Sequence, residues 1–327
     1  MAAATARLCL KARPTASQLA DRLRPVDGVW PDGLELYLAA ADLADPAIMD
    51  EVIRRMESHA LPPGFALLIE GPVDSLDGAD FDVTRESPAD RLVLRRLADL
   101  TRRLNAKAVN IHVIAPSEDT RRLTLACHDE LLRRCVPFLR EFVDLVGEAG
   151  AVPTIENMPP VLRMRRGGLC FTPIGMASQD LLWLVDQVSG LAILADTSHA
   201  GLYLNARRMP ADNQGALRPP RTPHTGKKND APPAVLPRLL ELVQQLPEEP
   251  DLLGYIQALA PRNAQVSNAS GLLGEGLPYD QGDLRLDPVI EWLGRTSDHL
   301  VTETLEPDVE DAVNMREALR RMRAVLA

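Results

Sequence analysis

Eight short runs of β-favouring residues alternate with longer amphipathic segments from one end of the chain to the other. The runs are Arg7–Lys11, Gly33–Leu38, Phe65–Glu70, Ala108–Val113, Val152–Glu156, Leu191–Asp196, Ala264–Ser267 and Leu300–Glu303. Such alternation predicts βα units feeding a parallel sheet, because a parallel connection needs a crossover long enough to hold a helix. The intervening segments carry the helical half of the signal. In Asp90–Asn105, for instance, Leu92, Val93, Leu97 and Leu100 share one face. Thr124–Gly150, Gln179–Val188, Val235–Gln245, Asp287–Gly294 and Asp308–Leu326 read the same way. Eight units favour closure into a (β/α)8 TIM barrel over an open doubly wound sheet. The 327 residues suit one such barrel with loop insertions, about 250 being typical. No GxGxxG follows the first run, which leaves a dinucleotide-binding Rossmann domain without footing.

The chain is therefore read as one domain, 1–327, with a Pro/Arg-rich loop insertion at about 203–233. The stretch Tyr203–Pro233 holds eight prolines or glycines and six basic residues (Arg207, Arg208, Arg218, Arg221, Lys227, Lys228) against two acidic ones. That composition predicts a mobile loop. With 46% apolar but 4% aromatic residues, the core must be built from Leu, Val, Ile and Ala. A net charge of −10 disfavours a general nucleic-acid binder. Cys9, Cys127, Cys135 and Cys170 form no CxxC pair, and Cys127 and Cys135 read as small core residues. Met1–Arg13 has no apolar signal core, and no run approaches a membrane span. The expectation is a cytoplasmic protein with no membrane partner.

In a parallel barrel the chemistry sits at the carboxyl ends of the strands. Here polar groups stand at those ends repeatedly: Glu70, His112 (VNIHV), Glu156 (PTIEN), Asp196 with His199 three residues on (ILADTSHAG), and Glu303 (LVTETLEPD). Any single one reads equally well as a strand cap or half of an ion pair. Five strands bringing such groups to one mouth is a different matter, because crowded carboxylates are costly without a cation. Glu156, Asp196 and Glu303 would form a hard oxygen cage suited to Mn or Mg, and nearby imidazole admits Zn or Co.

At these residues the chain resembles the xylose isomerase-like TIM-barrel superfamily, which holds sugar and sugar-phosphate isomerases and epimerases, inosose dehydratases and zinc-dependent apurinic-site endonucleases. AVPTIENMP (Ala151–Pro159) is similar to the family's fifth-strand segment, and DTSHAG (Asp196–Gly201) to its sixth. ETLEPD (Glu303–Asp308) is similar to the eighth-strand Glu motif, and PYDQGDL (Pro278–Leu284) to the turn after the seventh strand. The resemblance implies that Glu156, Asp196 and Glu303 are metal ligands, that His199 is a ligand or substrate contact, and that His112 touches substrate. Gln265 stands at the seventh-strand position where the family commonly has a His ligand, Asn268 where an acid is frequent, and Glu70 or Gly71 where the endonucleases have a third-strand His. A Gln carbonyl is a weaker ligand than imidazole, so weaker metal binding is expected.

The activity implied is metal-dependent isomerisation or epimerisation of a sugar, sugar phosphate or polyol-like α-hydroxy carbonyl compound, through an enediolate with Glu156 and Glu303 as acid and base. An inosose-dehydratase-type lyase would use the same chemistry. A phosphodiesterase acting on damaged DNA lacks the histidine-type ligands it would need. A barrel that binds a ligand or partner without catalysis is the alternative from another class. Arg163, Arg165 and Arg166 (VLRMRRGG, Val161–Gly168) are expected beside the mouth, together with Glu70 as a substrate contact. They would read an anionic substrate group, arginine's planar fork suiting phosphate or carboxylate. Oligomerisation is left open. Glu35 reads as a hydroxyl contact or an internal ion pair. His59, His128, His224 and His299 are expected in solvent, and Trp183 and Trp292 in helix packing.

Overall fold

A computed structural model describes residues 5–26, 28–117, 119–163, 169–209 and 235–327. Its strands are β1 (Arg7–Ala12), β2 (Gly33–Tyr37), β3 (Ala66–Glu70), β4 (Ala108–His112), β5 (Val152–Glu156), β6 (Val161–Arg163), β7 (Leu169–Phe171), β8 (Ala192–Asp196), β9 (Asn263–Val266), β10 (Asn268–Ser270), β11 (Gly274–Leu277) and β12 (His299–Thr302). Eight of them close a parallel barrel in the order β1-β12-β9-β8-β5-β4-β3-β2. The remaining four pair as two antiparallel hairpins, β6 with β7 and β10 with β11. These hairpins were not foreseen. Both follow barrel strands and so belong to the carboxyl-end face.

The barrel closes because each strand carries two different faces. Leu8 and Leu10 of β1, Leu34 and Leu36 of β2, and Leu67 and Ile69 of β3 join the large core between sheet and helices. The alternate residues point into the barrel, where Cys9, Leu68, Ala108 and Val301 form a separate small cluster. Successive side chains on a strand point to opposite faces, so one register carries the apolar ring to the helices and the other carries polar groups to the barrel axis. Gly33 opens β2 because a Cβ there would meet Ala66 O at 2.5 Å and Cys9 Sγ at 2.8 Å.

The helices are α1 (Ala16–Arg22), α2 (Pro46–Glu57), α3 (Pro88–Leu104), α4 (Leu125–Glu148), α5 (Ser178–Gln187), α6 (Thr197–Arg208), α7 (Val235–Gln245), α8 (Leu252–Leu259), α9 (Asp287–Thr296) and α10 (Val313–Leu326). Local chemistry fixes several ends. The Ser87 side chain caps α3 with Pro88 in its first turn, and Asn105 closes it in the left-handed conformation. None of the described helices is long and apolar enough to cross a membrane.

Three sequence expectations need correction. The first residues of the Pro/Arg-rich stretch are not loop: α6 continues to Arg208, and Tyr203 is fully buried against Tyr255 of α8 at 6.0 Å between ring centres. The rest of that insertion, 210–234, lies outside the described residues. His128 and His299 are buried, not solvated. His128 lies between Asp129 and Asp180 at 3.1 and 3.0 Å, and His299 Nδ1 meets Asn263 Oδ1 at 2.9 Å. Helix α8 (LLGYIQAL) went unrecognised because it is only eight residues long and Gln257 alone marks its exposed face, too little to set off the period of Leu252, Tyr255, Ile256 and Leu259. Trp183 and Trp292 pack on the core as expected.

Candidate active site

Inward-facing residues at or next to the strand ends form a ring at the carboxyl end of the barrel. In register, Lys11 stands opposite Glu35, His112 opposite Glu156, and Asp196 opposite Gln265. Glu70 ends β3, and Glu303 follows β12 with its amide still bonded to Val266 O at 3.1 Å. The expected residues Glu70, His112, Glu156, Asp196, Gln265 and Glu303 thus share one mouth, and His199 joins them from the first turn of α6. Glu70, His112, Glu156, Asp196, His199 and Gln265 are buried, whereas the Glu303 side chain is 26% exposed.

Glu156 is the hub. Its carboxylate accepts from Asn110 Nδ2 at 2.5 Å, and it faces His199 Nδ1 at 3.0 Å and His112 Nε2 at 3.5 Å. It belongs to two groups whose ligand atoms lie within 4.8 Å of one another: Glu70–His112–Glu156 and Glu156–Asp196–His199. Asn157, next in sequence, locks the neighbouring strand. Its amide donates to Asp196 O at 3.0 Å and its carbonyl accepts from Asp196 N at 2.7 Å. Asp196 also caps α6, one carboxylate oxygen accepting from His199 N at 2.7 Å. His199 is oriented by Asn157 O at 2.9 Å and reaches Glu275 of β11 at 3.5 Å through Nε2.

One member of the ring was missed by sequence reasoning. Lys11, with a 5% exposed side chain, lies in direct ion-pair contact with Glu70 and Glu303 and at 3.8 Å from Glu35. Its ammonium also sits 5.2 Å from the centre of the Tyr37 ring. A signal did exist, since Lys11 is one of four lysines in the chain and stands in the barrel-facing register of an otherwise apolar strand. Glu35 is an internal partner here: Gln265 Nε2 donates to Glu35 and to Glu70, each at 2.7 Å.

The electrostatics follow from five acids in one enclosure. Burial would lower the Lys11 ammonium, but Glu303, Glu70, Glu35 and Glu156 overcome it and raise it well above the ordinary lysine range. Burial presses Glu70 upward, yet Lys11 and His112 together hold it below the usual carboxylate value. Glu35, farther from the ammonium, is pushed up to about 8 by burial and the neighbouring Glu70 despite Lys11. Burial also raises Asp196. Burial would lower His199, but Asp196, Glu156 and Glu275 raise it well above the ordinary imidazole.

A divalent cation fits this donor set. The Lys11 ammonium and the His199 imidazolium together cannot balance Glu35, Glu70, Glu156, Asp196 and Glu303, and crowded carboxylates stay ionised together only with added positive charge. Three residues of the mouth carry a buried polar atom with no hydrogen-bond partner among the described residues: Gln265 Oε1, Glu303 Oε2 and His112 Nδ1. Carboxylate oxygens with imidazole nitrogens suit Mn, Mg, Co or Zn. Of the three expected arginines, Arg163 ends β6, with nothing described of its side chain, and Arg165 and Arg166 lie outside the described residues.

Comparison with solved structures bears on this arrangement. A D-tagatose 3-epimerase-like protein superposes with a TM-score of 0.62 at 13% identity, over 98% of this chain and 98% of that one. The 3-keto-D-glucoside 4-epimerase YcjR from E. coli gives 0.58 at 12%, again over 98% of both. The fold is that of the xylose isomerase-like TIM barrels. Endonuclease IV from Thermus thermophilus shares it, at 0.53 and 16% identity over 98% of each chain. At these identities the likeness is one of fold. No protein-family model matches the chain, and neither does the sequence of any curated protein.

Proposed function

We propose that this xylose isomerase-like barrel is a metal-dependent isomerase or epimerase of a sugar, sugar phosphate or polyol-like α-hydroxy carbonyl compound. The observation that carries the reading is that Glu156 and Glu303 share one acid-lined mouth, with Asp196 and Gln265 on the two barrel strands between theirs. Glu156 and Asp196 would hold the ion with His199 beside them, and Gln265 Oε1 and the Glu303 oxygen that Lys11 does not take would complete its shell. A divalent ion so held supplies Lewis-acid polarisation of a carbonyl oxygen. Glu156, fixed by Asn110 and His199, removes the proton from the carbon beside the carbonyl. Glu303, the only one of the five acids whose side chain is partly exposed, returns a proton to the resulting enediolate. His112 and Glu70 orient hydroxyls, and the enclosure of the mouth keeps bulk water from quenching the enediolate. Arg163, Arg165 and Arg166 would read an anionic group on the same substrate.

The fold neighbours that act on ketoses support this reading by analogy. Endonuclease activity gains nothing from the mouth, where Glu70 and Gln265 stand in place of imidazoles. The test follows a deuterium label from D2O into the carbon beside the carbonyl of D-tagatose, D-allulose and their phosphates, by NMR. Glu156→Gln and Glu303→Gln should each reduce the exchange rate at least about 100-fold, the usual scale for a lost acid or base. Full exchange in both variants would remove them from the chemistry. No exchange by the wild type on any ketose, with metal bound, would favour a barrel that binds without catalysis.

A further inference from the structure

The two metal-capable groups at the mouth share Glu156, but they are not equivalent. In Glu70–His112–Glu156, the carboxylate of Glu70 is already engaged. One oxygen takes both the Lys11 ammonium and Gln265 Nε2, the latter at 2.7 Å, and the other faces His112 Nε2 at 3.3 Å. In Glu156–Asp196–His199 no lysine or arginine intrudes among the described residues, and the neighbouring side chains are Asn110, His112, Asn157 and Glu275. Lys11 cannot easily withdraw. It is buried, it is held by three carboxylates, and the Tyr37 ring lies beside it.

We propose that the Lys11 ammonium takes the place of a divalent ion on Glu70, leaving Glu156, Asp196 and His199 as the core of a single divalent-ion site. A divalent ion among Glu70, His112 and Glu156 would share a carboxylate with a fixed positive charge, and repulsion at that range in an enclosed site opposes its binding. Lys11 is thus a positioning residue that sets how many metal ions the mouth holds. This rests on the metal-dependent reading above and deepens it.

The experiment counts zinc in untagged protein stripped with chelator, reloaded and desalted, using elemental analysis and calorimetric titration. Wild type and Lys11→Arg should each hold one zinc per chain, and Lys11→Met should hold two. The double variant Lys11→Met/Glu35→Gln removes a carboxylate along with the ammonium, so it preserves the charge balance if the single variant does not fold. It too should hold two, because Glu70, His112 and Glu156 are intact. A lysine with a purely structural role would not raise stoichiometry when removed. Two zinc ions in the wild type, or one in either folded Lys11→Met protein, would overturn the proposal and leave the metal-dependent reading standing. Zero zinc in every protein would remove that reading and this inference with it.

Discussion

His299 shows how burial can dominate the protonation of a single side chain in this barrel. At the amino end of β12 it is 9% exposed, and its Nδ1–H is placed to donate to Asn263. Burial, with Arg7 and Arg262 nearby and against the pull of Asp298, lowers its imidazole to about 4. The folded state therefore keeps His299 neutral where the unfolded chain would protonate it. The stability this confers is present above about pH 6.5 and is lost as pH falls from there through about 4. His299→Gln should flatten the acid side of the stability curve across that window, by up to roughly 3 kcal/mol between its ends. Chemical denaturation at a series of pH values measures this, and an unchanged slope in the variant would assign the acid sensitivity elsewhere. His128 behaves oppositely. Burial would lower it, but Asp180 and Asp129 raise it.

At the scale of elements, Asp196 is the joint between β8 and α6. The same carboxylate that faces the mouth caps the helix that follows, so charge and hydrogen bonding can be separated by mutation. Asparagine caps as well as aspartate does, whereas alanine costs about 1 kcal/mol at such a position. In metal-free protein, Asp196→Asn should be at least as stable as wild type, since it removes a buried charge whose ionisation burial already opposes. Asp196→Ala should lie about 1 kcal/mol below Asp196→Asn. Both should lose divalent-metal binding in calorimetry. Wild-type affinity in Asp196→Asn would show that this carboxylate is a cap and not a ligand. Asn157 makes the same joint rigid from the β5 side, and its two hydrogen bonds to the Asp196 backbone explain why a polar residue follows the hub acid.

For the whole molecule, the arrangement of charge is the property with functional reach. The chain carries −10 overall, and five acids line the mouth, so an anionic substrate must be met by positive groups near its path. The sequence offers Arg163 at the end of β6 and Arg165 and Arg166 between β6 and β7. If these arginines read an anion, Arg165→Ala/Arg166→Ala should weaken binding of a sugar phosphate about tenfold or more and spare the neutral sugar, with a larger loss at low salt. Equal affinities of both ligands in both proteins would leave the arginines without a role in recognition.

The barrel was legible in the sequence because strand pleat and helix period are local properties: a run such as AVNIH shows its alternating faces without any knowledge of its neighbours. The polar strand ends were legible for the same reason, since a carboxylate or imidazole closing an apolar run has only the mouth to face. What the sequence could not determine was partnership. Lys11 lies 292 positions from Glu303 and Gln265 lies 230 from Glu35, and nothing local to either residue announces such a contact. Closure of the barrel joins β1 to β12, and that closure alone places an ammonium among the acids, turns Gln265 toward two carboxylates and buries His299. Local pattern fixed which residues stand at the mouth. Their charges and hydrogen-bond partners were decided by three-dimensional proximity, because burial and Coulomb interaction act through space and not along the chain.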